Sequence, residues 1–140
     1  MLHAEDRRWV MRPDDLIEFW EGDQRSLADD LTLVRCGGHY DGSTALHWGG
    51  GADGQGVLLS SDTLHVTLDR QWVSFMYSFP NLIPLPPTSV EHIVTALAPF
   101  TFETIVGGWL NRNILTNGKE VVSRSAERYL AAISDSQTSS

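Results

Sequence analysis

The chain is 140 residues long, 41% hydrophobic and 20% charged, with 10 Lys and Arg against 18 Asp and Glu for a net charge of −8. That length and composition suit one globular domain with its own core and exclude a largely disordered chain. A lone cysteine, Cys36, excludes a disulfide scaffold, and a pI near 4.9 lacks the basic footprint that nucleic acid needs.

No apolar run reaches the roughly 18 residues that span a bilayer. The opening Met1–Arg8 stretch is too polar for a signal peptide. The chain therefore reads as a soluble, cytoplasmic protein with neither nucleic acid nor membrane as a partner. We expect one domain over residues 1–133 and a polar, disordered tail over 134–140.

Ala4 to Met11 has the composition of a short helix. Pro13 then precedes Asp14 and Asp15, and Leu16, Ile17, Phe19 and Trp20 recur at helical spacing before Gly22, which predicts a second short helix. Leu31–Cys36 alternates and is rich in β-formers, so it predicts a strand. Ser43–Trp48 and Val57–Ser60 are two further strands, joined by the glycine-rich stretch 49–56.

Leu64 to Pro87 shows no clear period. Within it, Arg70–Phe79 has two readings: an apolar wall or lid beside a site, or ordinary packing. Thr88-Ser-Val-Glu91 fits a capping box, and Val90, Ile93, Val94 and Leu97 follow at helical spacing up to Pro99. Phe102–Val106 predicts a strand running into Gly107-Gly108. Asn117 and Glu120 open a final helix with Val121, Val122, Ala126, Tyr129, Leu130 and Ile133 on its apolar side. The order helix, three strands, helix, strand, helix is α/β, or α+β in some schemes.

Two segments carry candidate chemistry. Gly38-His-Tyr-Asp-Gly-Ser43 follows a strand, and its glycines let the backbone approach whatever His39 contacts. Asp62 ends the next strand but one, where a carboxylate can bind or bridge divalent metal. The remaining histidines fit structural or surface roles, although His65 stands three residues after Asp62, where it offers a further ligand. Cys36 fits a buried, inert thiol.

The run Cys36-Gly-Gly-His-Tyr-Asp-Gly-Ser-Thr44 followed by Leu58-Leu-Ser-Ser-Asp-Thr63 resembles the metallo-β-lactamase-fold hydrolases. In that family a Gly-His-x-x-Gly-Ser segment supplies a metal-binding histidine and a later small-residue–Asp pair supplies a bridging carboxylate. The resemblance implies an αββα sandwich in which one or two zinc ions activate water against an ester, thioester, amide or phosphodiester. It assigns His39 and Asp62 to metal-ligand positions.

The family's His-x-His-x-Asp-His motif is absent, Ser61 stands where Gly precedes the Asp, and Trp109 stands near the position of the last histidine. Tyr77, Trp109 and Arg112 are the candidate substrate-pocket residues. The chain is about half as long as the family's full fold, so we expect its C-terminal half. Such a half exposes an apolar sheet face, to be covered in a homodimer or by a partner chain. Two functions follow: a metal-dependent hydrolase acting on a small-molecule substrate, or a metal-free α/β module that works by association.

Overall fold

The computed structural model describes residues 1–135. Its centre is a six-stranded mixed sheet: β1 (Gln24–Ala28), β2 (Leu31–Arg35), β3 (Thr44–Trp48), β4 (Val57–Ser61), β5 (Thr104–Gly107) and β6 (Asn113–Ile114). The spatial order is β6-β5-β4-β3-β2-β1. β1 to β4 form an antiparallel meander, β5 adds parallel to β4, and β6 pairs antiparallel with β5. The fold class is mixed α+β, as the order of elements predicts.

Alternation decides the two faces of this sheet. Val34 and Ala45 pair across β2 and β3, and Leu58 and Ile105 pair across β4 and β5. All four are buried under the helices α1 (Pro87–Leu97) and α2 (Gly118–Asp135). α1 contributes Val90, Ile93 and Leu97, and α2 contributes Val121, Val122 and Ala126. Lys119 opens α2 and closes α1: its Nζ donates to the carbonyls of Leu97, Ala98 and Phe100 at 2.6–2.8 Å. A cation there satisfies the acceptors that a helix C-terminus leaves unpaired.

The opposite face is open. Leu33 pairs with Leu46, Leu46 with Leu59, and Leu59 with Val106, which makes one apolar row across four strands. Leu59 and Val106 are exposed in this chain. Among the described residues no helix covers the row, and Met1, Leu2, His3 and Trp20 of the N-terminal segment line the cavity above it.

Two local expectations are corrected. Residues 14–20 are not a helix. Asp14 accepts from the Leu16 amide at 2.9 Å in an Asx turn, and Phe19–Trp20 pairs in parallel with Leu2–His3. The capping box at Thr88–Glu91 is not used, because α1 begins two residues earlier than that box requires, with Pro86 as its cap and no side-chain cap bond. The aperiodic stretch after Asp62 forms two small antiparallel pairs, His65–Val66 with Val73–Ser74 and Met76–Ser78 with Ile83–Pro84. The first predicted helix exists, as a 3-10 turn over Ala4–Trp9. α2 extends through Asp135, and the rest of the expected tail lies outside the described residues. Among those residues no helix is long and apolar enough to cross a membrane.

Candidate functional site

The loop after β2 is held on all sides. The Cys36 and Gly37 amides both donate to the Ser43 carbonyl, and the Tyr40 amide donates to Ser43 Oγ at 2.8 Å. Gly38 has φ +92°, and a Cβ there would press on Leu85 and Ile93, so the loop lies directly on the core. His39 is fixed in turn. Its Nδ1 lies 3.0 Å from the Tyr77 carbonyl and 3.3 Å from that of Met76. Two acceptors require the proton on Nδ1, which leaves Nε2 as the free lone pair. Backbone anchoring of one ring nitrogen is the arrangement that orients a metal-binding or proton-accepting histidine.

Asp62 is placed by an irregular strand end. The β4–β5 register slips between Val106 and Gly107, so that Ser60 is the extra residue on β4. Bulges of this kind re-aim the side chains that follow. Ser60 Oγ is buried among the carbonyls of Ser61, Leu64 and Val106. Ser61 then takes φ +50°, a left-handed conformation that favours glycine. This accounts physically for the glycine that the resemblance places before the carboxylate. Ser61→Gly is expected to stabilise the fold by about 0.5–1 kcal/mol in urea unfolding. A loss of stability would show that the Ser61 side chain does something other than strain the turn.

His39 and Asp62 share two cavities. Both line a cavity of about 750 Å³ whose floor includes Leu33, Leu46, Leu59 and Val106 of the open sheet face. Both also line a second cavity, of about 690 Å³, walled by Trp9, Tyr40, Tyr77, Phe79 and Trp109. Tyr77 and Trp109 therefore line a cavity that His39 and Asp62 also line. Arg112 lines neither cavity. Its guanidinium acts on His65, whose pKa is lowered first by burial, then by Arg112, against an opposing pull from Asp62. His65 Nδ1 and Thr63 Oγ1 are buried with no protein hydrogen-bond partner among the described residues.

Several participants were not foreseen. The N-terminal segment is a clamp on the His39 loop: Asp6 accepts from the Gly42 amide at 2.8 Å, and Arg8 pairs with Asp41 at 2.6 Å. Phe79 stands between two histidines, with ring centroids 5.0 Å from His39 and 5.2 Å from His65. The stretch Arg70–Phe79 divides between its two readings: Phe75 is core, whereas Tyr77 and Phe79 are wall. The only sequence signal for the clamp was the polar Tyr40-Asp41 beside His39, which asks for partners.

The remaining histidines are structural or exposed. His47 Nε2 meets the Thr101 carbonyl at 2.8 Å, and His92 is on the exposed side of α1. Burial pushes the Cys36 thiol up to about 12, which leaves it a neutral packing group.

A zinc ion needs three or four protein donors. Among the described residues no group of three or more His, Cys, Asp and Glu side chains could hold a metal ion. The free Nε2 of His39 and the Asp62 carboxylate suit such an ion. By themselves they do not complete a site for it.

No protein-family model matches the chain. It is 43% identical over 132 residues to the uncharacterized protein YmaE of Bacillus subtilis (strain 168), a match taking in 94% of this chain and 48% of YmaE. The chain thus spans about half the length of that curated relative. Among solved structures it is similar to a metallo-beta-lactamase family protein from Thermus thermophilus, with a TM-score of 0.48 and 18% sequence identity, over 88% of this chain and 36% of that one.

Proposed function

We propose that this chain is an association module whose open sheet face receives a second α/β unit of similar size, and that His39 and Asp62 are its share of a centre completed at that junction. One observation carries the reading: the apolar row Leu33–Leu46–Leu59–Val106 and the pair His39–Asp62 line the same cavity. Whatever covers the row is brought up to the pair. Exposed apolar patches of this kind mark interfaces. The length of YmaE supports the choice of occupant, since the matched 132 residues are 48% of it and leave a segment as large again.

On this reading the hydrolysis implied by the metallo-β-lactamase resemblance, of an ester, thioester, amide or phosphodiester, belongs to the paired state. The second unit supplies the missing donors. This chain supplies an anchored imidazole, a carboxylate and the wall around them.

The test uses the chain alone and the chain co-expressed with the part of YmaE outside the matched residues. Alone, we expect little bound zinc. Together, we expect a 1:1 complex by sedimentation that holds near-stoichiometric zinc and loses it in His39→Ala. Stoichiometric zinc in the isolated chain, retained in His39→Ala, would sink the proposal. So would the absence of any complex, or a homodimer that leaves the face no room for a different unit.

A further inference from the structure

The two cavities that meet at His39 and Asp62 differ in chemistry. The sheet-side cavity is aliphatic, with Leu27, Leu33, Leu46, Leu59 and Val106 in its lining. The second has no Leu, Ile, Val, Met or Ala in its lining; Pro80 is its one apolar residue without a ring system of π electrons. Its rings form a chain. Trp9 meets Tyr40 at 5.7 Å between centroids, Tyr40 meets His39 at 4.9 Å, His39 meets Phe79 at 5.0 Å, and Phe79 meets Trp109 at 6.2 Å. All four contacts are edge-to-face, an arrangement that leaves ring faces available to a further ring.

Those faces are open to solvent: Trp9 is 53% exposed, Tyr40 45%, Tyr77 57% and Trp109 52%. Solvating that much aromatic surface around one 690 Å³ cleft is unfavourable, and the volume lies within the usual range for small-molecule pockets. We propose that this cleft binds the aromatic ring of an aryl ligand that carries no negative charge, with its ring against the wall that includes Trp109 and Tyr77 and its substituent toward His39 and Asp62.

The charges in the lining select against anions. Its carboxylates are Asp41 and Asp62, and Arg8 is the only Arg or Lys among the described residues that line it. That guanidinium is already committed: it sits 5.1 Å over the Trp9 ring and pairs with Asp41. An anion would need a free cation, and the lining offers none. Stacking discriminates a ring from a saturated group of the same size, and stacking is what the wall provides.

The inference deepens the proposed function by naming a substrate class, yet its test needs neither the second unit nor metal. The full chain, with EDTA present, is titrated by calorimetry with 2-naphthol, its saturated counterpart decahydro-2-naphthol, and 2-naphthalenesulfonate. We expect 2-naphthol to occupy one site about fivefold or more tightly than the other two. Trp109→Ala and Tyr77→Ala should each weaken it about threefold to tenfold. Both side chains are more than half exposed, so the fold survives their removal, as circular dichroism would verify. Trp48→Ala, at an exposed tryptophan outside both cavities, should change nothing. Equal affinity for the saturated alcohol, equal or tighter binding of the sulfonate, no binding at all, or indifference to both cleft variants would each overturn the proposal. Failure here leaves the zinc and pairing result untouched, and failure there leaves this one.

Discussion

Leu58→Ala is expected to cost about 2–5 kcal/mol of folding stability, and Leu59→Ala, one residue further on, about 1 kcal/mol or less. The two leucines are adjacent on β4 and chemically identical. Only the pleat separates them. Leu58 is 0% exposed and packs with Ile105 beneath the helices, so its removal leaves a cavity in a close-packed region. Leu59 is 37% exposed on a row that no helix among the described residues covers, so truncation there leaves a dent open to solvent rather than a closed cavity.

Urea unfolding of the two variants therefore measures which face of the sheet is the core. For capture of the proposed second unit, Leu59 rather than Leu58 is the residue that matters. Leu59→Glu should then abolish capture of the second unit while the isolated chain unfolds near the parent midpoint, because a charge placed on an apolar interface has no partner there. Equal stability losses at the two positions in the isolated chain would mean that the face is already covered, and the case for an association module would fall with it.

The parts of this fold that were legible in sequence are those whose own residues decide their state. β2 to β4 alternate and are rich in β-formers. α1 and α2 carry apolar residues at helical spacing, and α1 has Pro87 at its first position. β1 was not legible, because Gln24–Ala28 is exposed at all five positions and exists only by pairing with β2.

The helix expected at 14–20 failed for the opposite reason. Its spacing was helical, but Asp14 commits its carboxylate to an Asx turn, and Trp20 gains more by burying edge-on against His3, at 4.5 Å between ring centroids. Tertiary burial overrides a weak local preference.

The site divides in the same way. His39 and Asp62 stood out by their order along the chain, and they line the same two cavities. The carbonyls of Met76 and Tyr77 that fix His39 were not legible, since a backbone acceptor leaves no mark on residue type. Nor was the clamp by Asp6 and Arg8, which joins residues more than thirty positions apart.

The register that presents Asp62 to Gly108 begins at Gly56, and Gly56→Ala should cost about 2–5 kcal/mol. Two effects add there. Gly56 has φ +89°, where an L side chain is strained, and its new Cβ would drive into the Thr101 carbonyl oxygen. The oxygen cannot yield cheaply, because the backbone beside it is bound: the Glu103 and Thr104 amides both donate to the Gly56 carbonyl, at 2.9 and 3.3 Å. Those two bonds start the parallel pairing of β4 and β5. Gly54 is the control. It has φ +82° but open space where a Cβ would stand, so Gly54→Ala meets the conformational cost alone, about 1 kcal/mol.

The difference between the two variants isolates the contact with Thr101 from backbone strain. It also reports on the site. If the start of the β4–β5 ladder shifts, the slip at Val106–Gly107 shifts with it, and amide resonances of Gly107 and Gly108 should move in Gly56→Ala and stay in place in Gly54→Ala. Equal costs for the two alanines would show that the Thr101 carbonyl gives way, and that the position of Asp62 is set locally, by Ser60 and Ser61, rather than from the far end of the strand.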